Sequence, residues 1–215
     1  MNEIITAPLM SQWINKEHLE DVKIQEMKAT FSKNGYLVVP QFLNHQKALD
    51  ILNELKNCTS IVTGNNIFSR KSEINLSGKT VFEYRNLLGS NEMIAYLNYL
   101  TNLGISKINV FFGSKWQKGD FIGPHSDTDT GAKLGIIIYF SDLEESDGGA
   151  LNLYKSDFYK SGDQGHYPDQ SFELVEKVIP QFNKLAIYEI AENKRHGVGK
   201  VEGSTLRYNM ICCFG

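Results

Sequence analysis

The sequence predicts a mainly β fold with flanking helices, a sandwich or jelly-roll core buttressed by N-terminal α-helices, in a single domain spanning residues 1–215. Two observations carry this. After Gly104 the chain turns into short apolar runs separated by turn residues, at 107–112, 135–140, 150–154, 172–178, 184–190 and 206–213, which is the spacing of a sandwich or jelly roll. Before Gly104 the apolar residues recur at helical spacing instead. Residues 1–104 are therefore read as a helical and mixed support region, and 105–215 as the β core.

Residues up to about Ser11 form an arm. Positions 16–33 predict a helix with Leu19, Val22, Met27 and Phe31 near one face, stopped by Asn34-Gly35. Residues 36–39 read as a strand. Asn44 caps a second helix whose Ala48, Ile51, Leu52 and Leu55 make a packing face, and Ser90 caps a third that carries Met93, Ile94, Leu97 and Leu100 and ends by Gly104. Between these two helices, residues 59–79 are rich in Ser, Asn and Gly and include Arg70 and Lys71; they read either as a lid or as a solvated loop with short strands.

In the core, 135–140 is apolar on both faces and predicts a central strand, whereas 172–178 alternates apolar and charged residues. Residues 142–149 form an acidic turn closed by Gly148-Gly149, with its carboxylates facing water. A polar insertion at 155–170, with Phe158, Tyr159, His166 and Tyr167, is placed to fold over a substrate mouth. There is no internal repeat.

The composition, 41% hydrophobic and 22% charged, is that of a globular protein, and the net charge of -3 argues against a nucleic-acid partner. Three cysteines, Cys58 and the adjacent Cys212 and Cys213, imply neither a disulfide framework nor a zinc site. No secretory signal is seen and no run approaches the ~18 apolar residues of a membrane span, so a reducing cytoplasm is the expected compartment. The oligomeric state is not legible.

The clearest chemistry lies in Gly119-Asp120-Phe121-Ile122-Gly123-Pro124-His125-Ser126-Asp127. On an extended chain His125 and Asp127, two apart, offer an imidazole nitrogen and a carboxylate oxygen to one metal ion. The best third ligand is His196, which ends a strand-like run, because His18 and His45 sit in helical segments and His166 in a polar loop. Two imidazoles and a carboxylate with the opposite face open are the facial triad of non-heme Fe(II) oxygenases. An open-faced iron needs a co-substrate, and a dicarboxylate co-substrate needs a fixed cation. Arg207, in the strand beyond His196, suits that task through its planar fork.

Beyond this run, Trp116-x-x-Gly119-Asp120, Ile136-Ile137-Ile138-Tyr139-Phe140, Asp147-Gly148-Gly149-Ala150-Leu151, the stretch 180–188, His196-Gly197-Val198 and Leu206-Arg207-Tyr208 follow in order. Together these pieces resemble the 2-oxoglutarate and Fe(II)-dependent dioxygenases, most closely the prolyl 4-hydroxylase-like branch, over about 108–215. The resemblance implies a double-stranded β-helix core, Fe(II), 2-oxoglutarate bound through its keto-acid end with Arg207 on its distal carboxylate, and dioxygen as a further co-substrate. It implies hydroxylation of an unactivated C–H bond, and the presence of Asp127 disfavours the related halogenation; demethylation stays open.

Two positions depart from the family. Trp116 stands where relatives often carry a co-substrate-binding Tyr, and reads either as that contact or as a core residue. Asn209 stands where relatives place a small hydroxyl, sharing the face of Arg207, and reads either as a second carboxylate contact or as structural. Arg195 is expected to point outward, as a surface or substrate contact. The expected substrate is a small molecule such as an amino acid or biosynthetic intermediate. A protein prolyl hydroxylase and a non-catalytic metal- or ligand-binding jelly roll are the alternatives.

Overall fold

The computed structural model describes residues 8–66, 68–155 and 172–215. All but the first residue of the polar insertion at 155–170 lies outside the described residues. Helices α1 (Pro8–Trp13), α2 (Asp21–Asn34), α3 (His45–Asn57), α4 (Lys79–Leu88) and α5 (Asn91–Thr101) form the support region.

The strands are β1 (Tyr36–Val39), β2 (Ser60–Thr63), β3 (Ser69–Ile74), β4 (Ile108–Trp116), β5 (Phe121–His125), β6 (Leu134–Tyr139), β7 (Leu151–Lys155), β8 (Glu173–Val178), β9 (Leu185–Glu189), β10 (Lys194–Val198) and β11 (Arg207–Phe214). They join in the order β1-β9-β6-β11-β4-β3-β5-β10-β7-β8, with β2 alongside β3. Strand β3 links the two halves of this antiparallel sheet, pairing with β4 at Ser72↔Lys115 and with β5 at Ser69↔Ile122.

Every residue of β6 is buried, as its two-sided apolar pattern predicts. Leu134, Ile136 and Ile138 face the helices and share one core cluster with Ile24, Phe31, Ile51, Tyr84 and Leu97. Ile137 and Tyr139 face the other way. They pack with Tyr188 and Cys213 against Leu151, Leu153 and Val178 of the opposing half, so the two halves face each other around a shared interior. Burying each large apolar side chain here stabilises the fold by roughly 1.5–3 kcal/mol. Cys212 belongs to the helix-facing cluster and Cys213 to the interior, and both are free thiols. Among the described residues no helix is long and apolar enough to cross a membrane.

The predicted caps form. Asn44 Oδ1 accepts from Gln46 N–H at 3.1 Å, and Ser90 Oγ from Met93 N–H at 3.2 Å. Gly35, at φ 73°, donates its N–H to the Phe31 carbonyl and ends α2.

Several expectations need correction. The arm contributes a helix, α1, through buried Met10 and Trp13. The helix expected over 16–33 is split into a 3-10 turn, Lys16–Leu19, and α2. Its buried face is Ile24, Met27 and Phe31, while Val22 is 73% exposed. The third helix ends at Asn102, which takes the left-handed conformation two residues before Gly104. Of the two readings of 59–79, the one with short strands is the one that forms, pairing into the sheet as β2 and β3. Strand β8 buries only Val178; a register shift opposite Leu153 and Tyr154 breaks the alternation and leaves Leu174 and Val175 exposed. Helix α4 has no cap in its own sequence. The Glu54 carboxylate of α3 accepts from the N–H groups of Thr80 and Val81 at 2.9 and 2.8 Å, a cap supplied by tertiary structure.

Candidate metal centre

His125 closes β5 and His196 lies in β10, and the antiparallel pairing sets them directly opposite each other. Opposed residues share a face, and here the ring centroids are 4.3 Å apart. The close approach depends on Gly197, where a β-carbon would come within 2.8 Å of the Ile122 carbonyl.

Asp127 arrives by a different route from the one strand alternation predicts. It lies past the end of β5, with φ -94° and ψ 22°, in a turn leading into a 3-10 segment. Thr128 N–H donates to Ser126 Oγ at 3.3 Å, and Thr130 Oγ1 donates to the Asp127 carbonyl at 2.6 Å. These side-chain bonds fix the turn and aim the carboxylate back at the histidines.

Its Oδ2 lies 3.2 Å from His196 Nε2 and its Oδ1 3.7 Å from His125 Nε2. One ligand atom from each of the three residues falls within 4.8 Å of the others. The His125 Nδ1 lies 2.9 Å from the Gly123 carbonyl, which can only accept, so Nδ1 carries the proton and Nε2 is the nitrogen left to hold a metal. Burial pushes the Asp127 pKa up, but the His196 hydrogen bond and the charges of His196, His125 and Lys71 outweigh it. The carboxyl is held well below the usual carboxylate range.

The three residues open onto a cavity of about 640 Å³, counting the space open to solvent. Its walls are apolar, with Val110, Phe112, Ile122, Ile137 and Ile211 among them, and Trp116 belongs to the wall. The Trp116 indole N–H is buried and has no partner among the described residues.

Arg207 is not in that wall. It is fully buried opposite Trp116 in the β4–β11 register, its guanidinium carbon 4.9 Å from the Trp116 ring centroid and 5.1 Å from that of Tyr139. Nη1 donates to Asn209 Oδ1 at 2.6 Å and the Tyr139 hydroxyl stands against the guanidinium, whereas Nε, Nη2 and Asn209 Nδ2 have no hydrogen-bond partner of good geometry among the described residues. Burial pushes the Tyr139 hydroxyl up to about 12, against the pull of the Arg207 charge, and burial also lowers the Arg207 pKa. A buried cation with two unsatisfied donors and no ion-pair partner among the described residues costs several kcal/mol on its own, and a carboxylate from outside would complete it. The donor set of the three ligating residues and this orphaned arginine fit Fe(II) and a 2-oxoacid dicarboxylate respectively.

The fold thus brings His125, Asp127 and His196 to one point, places Trp116 beside them, and sets Arg207 with Asn209 next to Trp116. Asn209 holds the guanidinium through Oδ1 and keeps Nδ2 available. Arg195 does point away from His196 along β10, but it is buried and donates to the Glu192 carbonyl at 2.5 Å, so it is no surface contact. Sequence reasoning missed Tyr139, whose signal was a lone hydroxyl in an apolar strand. It also missed Tyr188, whose ring centroid lies 4.7 Å from that of His196.

A jelly-roll barrel of this kind, with such a donor set at its mouth, defines the class of the non-heme iron oxygenases. Residues 111–215 match the 2OG-Fe(II) oxygenase superfamily, and this part of the chain belongs to it. None of the curated proteins matches at a significant level.

Solved structures share the fold. One is an oxidoreductase of the 2OG-Fe(II) oxygenase family from Burkholderia pseudomallei, 13% identical with a TM-score of 0.64, covering 91% of this chain and 92% of its own. A second is a prolyl hydroxylase from Trichoplax adhaerens in complex with a hypoxia inducible factor peptide, 15% identical with a TM-score of 0.63, covering 91% and 93%. A third is the alpha ketoglutarate dependent epimerase SnoN of nogalamycin biosynthesis, 14% identical with a TM-score of 0.69, covering 91% and 84%. SnoN also has a structure with Fe3+, alpha ketoglutarate and nogalamycin RO bound.

Proposed function

We propose that this protein is a 2-oxoglutarate- and Fe(II)-dependent hydroxylase of an unactivated C–H bond in a small molecule, such as an amino acid or biosynthetic intermediate. The observation that carries the reading is the convergence of His125, Asp127 and His196 within 4.8 Å in the wall of an apolar cavity. In it, the two Nε2 atoms and the Asp127 carboxylate hold ferrous iron on one face and leave the other face to co-substrates. Arg207, steadied by Asn209, binds the distal carboxylate of 2-oxoglutarate. The Trp116 N–H, unpartnered among the described residues, and the Tyr139 hydroxyl beside the guanidinium are the neighbouring groups that orient it. Bound iron and 2-oxoglutarate together supply the oxidising power, consuming dioxygen and yielding succinate, carbon dioxide and a hydroxylated product.

The protein's own part is positioning and exclusion of water. Apolar walls keep the reacting C–H bond dry, and ligands on two paired strands hold the geometry.

The test is incubation with Fe(II), 2-oxoglutarate and a metabolite extract, following succinate and any product heavier by one oxygen. A hydroxylated metabolite supports the reading. Oxygen appearing only in the polypeptide fraction points to protein hydroxylation instead. Binding of 2-oxoglutarate without succinate under any condition makes the chain a non-catalytic binding module.

A further inference from the structure

Apart from the two histidines, the wall of the cavity over the metal centre carries one cationic side chain among the described residues, Lys71 of β3. Its direction follows from strand geometry. Ile74 packs into the helix-facing core, so alternation turns Lys71 and Glu73 to the barrel interior, and Glu73 stands opposite the fully buried Ser114. The Lys71 ammonium lies 5.0 Å from the Phe112 ring centroid and 3.1 Å from Glu73 Oε1, with the side chain 20% exposed. Glu73 fixes the head group and uses one of its three donors, leaving the others for a ligand. Glu73 already balances the ammonium charge, and a ligand carboxylate would add a charge-assisted contact through the remaining donors.

We propose that Lys71 binds a carboxylate of the primary substrate. The substrate is then a small carboxylic acid with an apolar body, which lies against the Phe112 and Ile122 side of the cavity with its carboxylate at Lys71 and a C–H bond over the metal. Glu73 is a positioning residue for the ammonium. This specificity rests on the hydroxylase reading of the same site.

The experiment uses the full chain loaded anaerobically with Fe(II) and 2-oxoglutarate, with hexanoate, 3-phenylpropanoate and L-leucine as probes, each compared with its primary amide. Binding is read by calorimetry. At least one acid binds about 10-fold or more tightly than its amide, the range of a charge-assisted contact. Lys71→Met removes that preference and Lys71→Arg retains it, while iron and 2-oxoglutarate affinities stay as in the wild type. Melting temperatures confirm that both variants fold. The proposal is overturned if no acid binds, if acid and amide bind equally to the wild type, or if Lys71→Met keeps the preference. Weakened 2-oxoglutarate binding in Lys71→Met, with iron binding intact, assigns the ammonium to the co-substrate and also overturns it. Failure of the wild-type protein to bind 2-oxoglutarate at all is a separate result, and it removes the hydroxylase reading itself.

Discussion

His196 and His125 face each other across the pairing of β5 with β10, and one carboxylate, that of Asp127, reaches toward the Nε2 of both. The arrangement needs two strands and one turn, so no single segment assembles it. Replacing His196 with Ala leaves an imidazole and a carboxylate on the turn side. Metal affinity should fall by more than about 100-fold, beyond the 10–100-fold typical of groups that only support a ligand. Anaerobic calorimetry with Fe(II) measures this directly, and unchanged affinity would remove His196 from the metal centre.

Arg207 carries a buried charge whose Nε and Nη2 find no partner among the described residues. Replacing it with Met removes that desolvated charge but orphans Asn209 Oδ1. The two changes oppose, and the ligand-free protein should stay within about 1 kcal/mol of wild-type stability. Co-substrate linkage behaves differently. In the wild type, 2-oxoglutarate at 100 times its Kd should stabilise the fold by about 2.7 kcal/mol, and in Arg207→Met at the same concentration that gain should vanish with iron binding retained. Denaturant titrations with and without 2-oxoglutarate test this; an equal gain in both proteins would count against the clamp.

The acidity of Asp127 sets how metal binding depends on pH. Its folded pKa is depressed, because the His196 hydrogen bond and the neighbouring charges outweigh burial. The carboxylate is therefore ionised above that low value, and its ligation is lost only as pH falls through it, below the ~3.9 of an ordinary Asp. Above that range protons compete only for the imidazole nitrogens, which must be neutral to bind a metal. The steepest part of a plot of log affinity against pH should thus show about two protons displaced per ion. A slope approaching three in mildly acid solution would mean that the carboxylate titrates too.

Much of this was legible in the sequence because it is local. The helix caps at Asn44 and Ser90, the left-handed stop at Gly35 and the two-sided burial of β6 each depend on a few adjacent residues. His125, Asp127 and His196 were legible as residue types, although the means by which Asp127 turns inward was not, since it depends on hydroxyl bonds from Ser126 and Thr130. Helix α4 was illegible because its cap is Glu54, in another helix. Strand β3 was legible only as one of two readings of its segment, because its polar composition follows from its pairing with both halves of the sheet rather than from core packing. Lys71 and Tyr139 gained meaning only once the register showed which way each strand faces.

Gly135 supports the metal centre from a distance, and its substitution tests how rigid that support must be. It pairs with Tyr188 across β6 and β9, and a β-carbon there would stand 2.4 Å from Tyr188 Cζ and 2.6 Å from Cε2. A glycine inside an apolar strand is otherwise unfavourable, and here it marks a close approach. Tyr188 is buried against His196, so the ring has little room to retreat without moving the ligand. Gly135→Ala should therefore destabilise the fold by about 1–3 kcal/mol through overpacking, and weaken metal binding by roughly 10–100-fold through the displaced imidazole. Shortening the ring in Gly135→Ala/Tyr188→Leu removes the clash and should recover part of the stability while leaving metal affinity low, since His196 then lacks its packing partner. Melting curves and anaerobic metal titrations on the two variants separate these effects. Wild-type metal affinity in Gly135→Ala would show that the Tyr188 ring does not hold His196 in place.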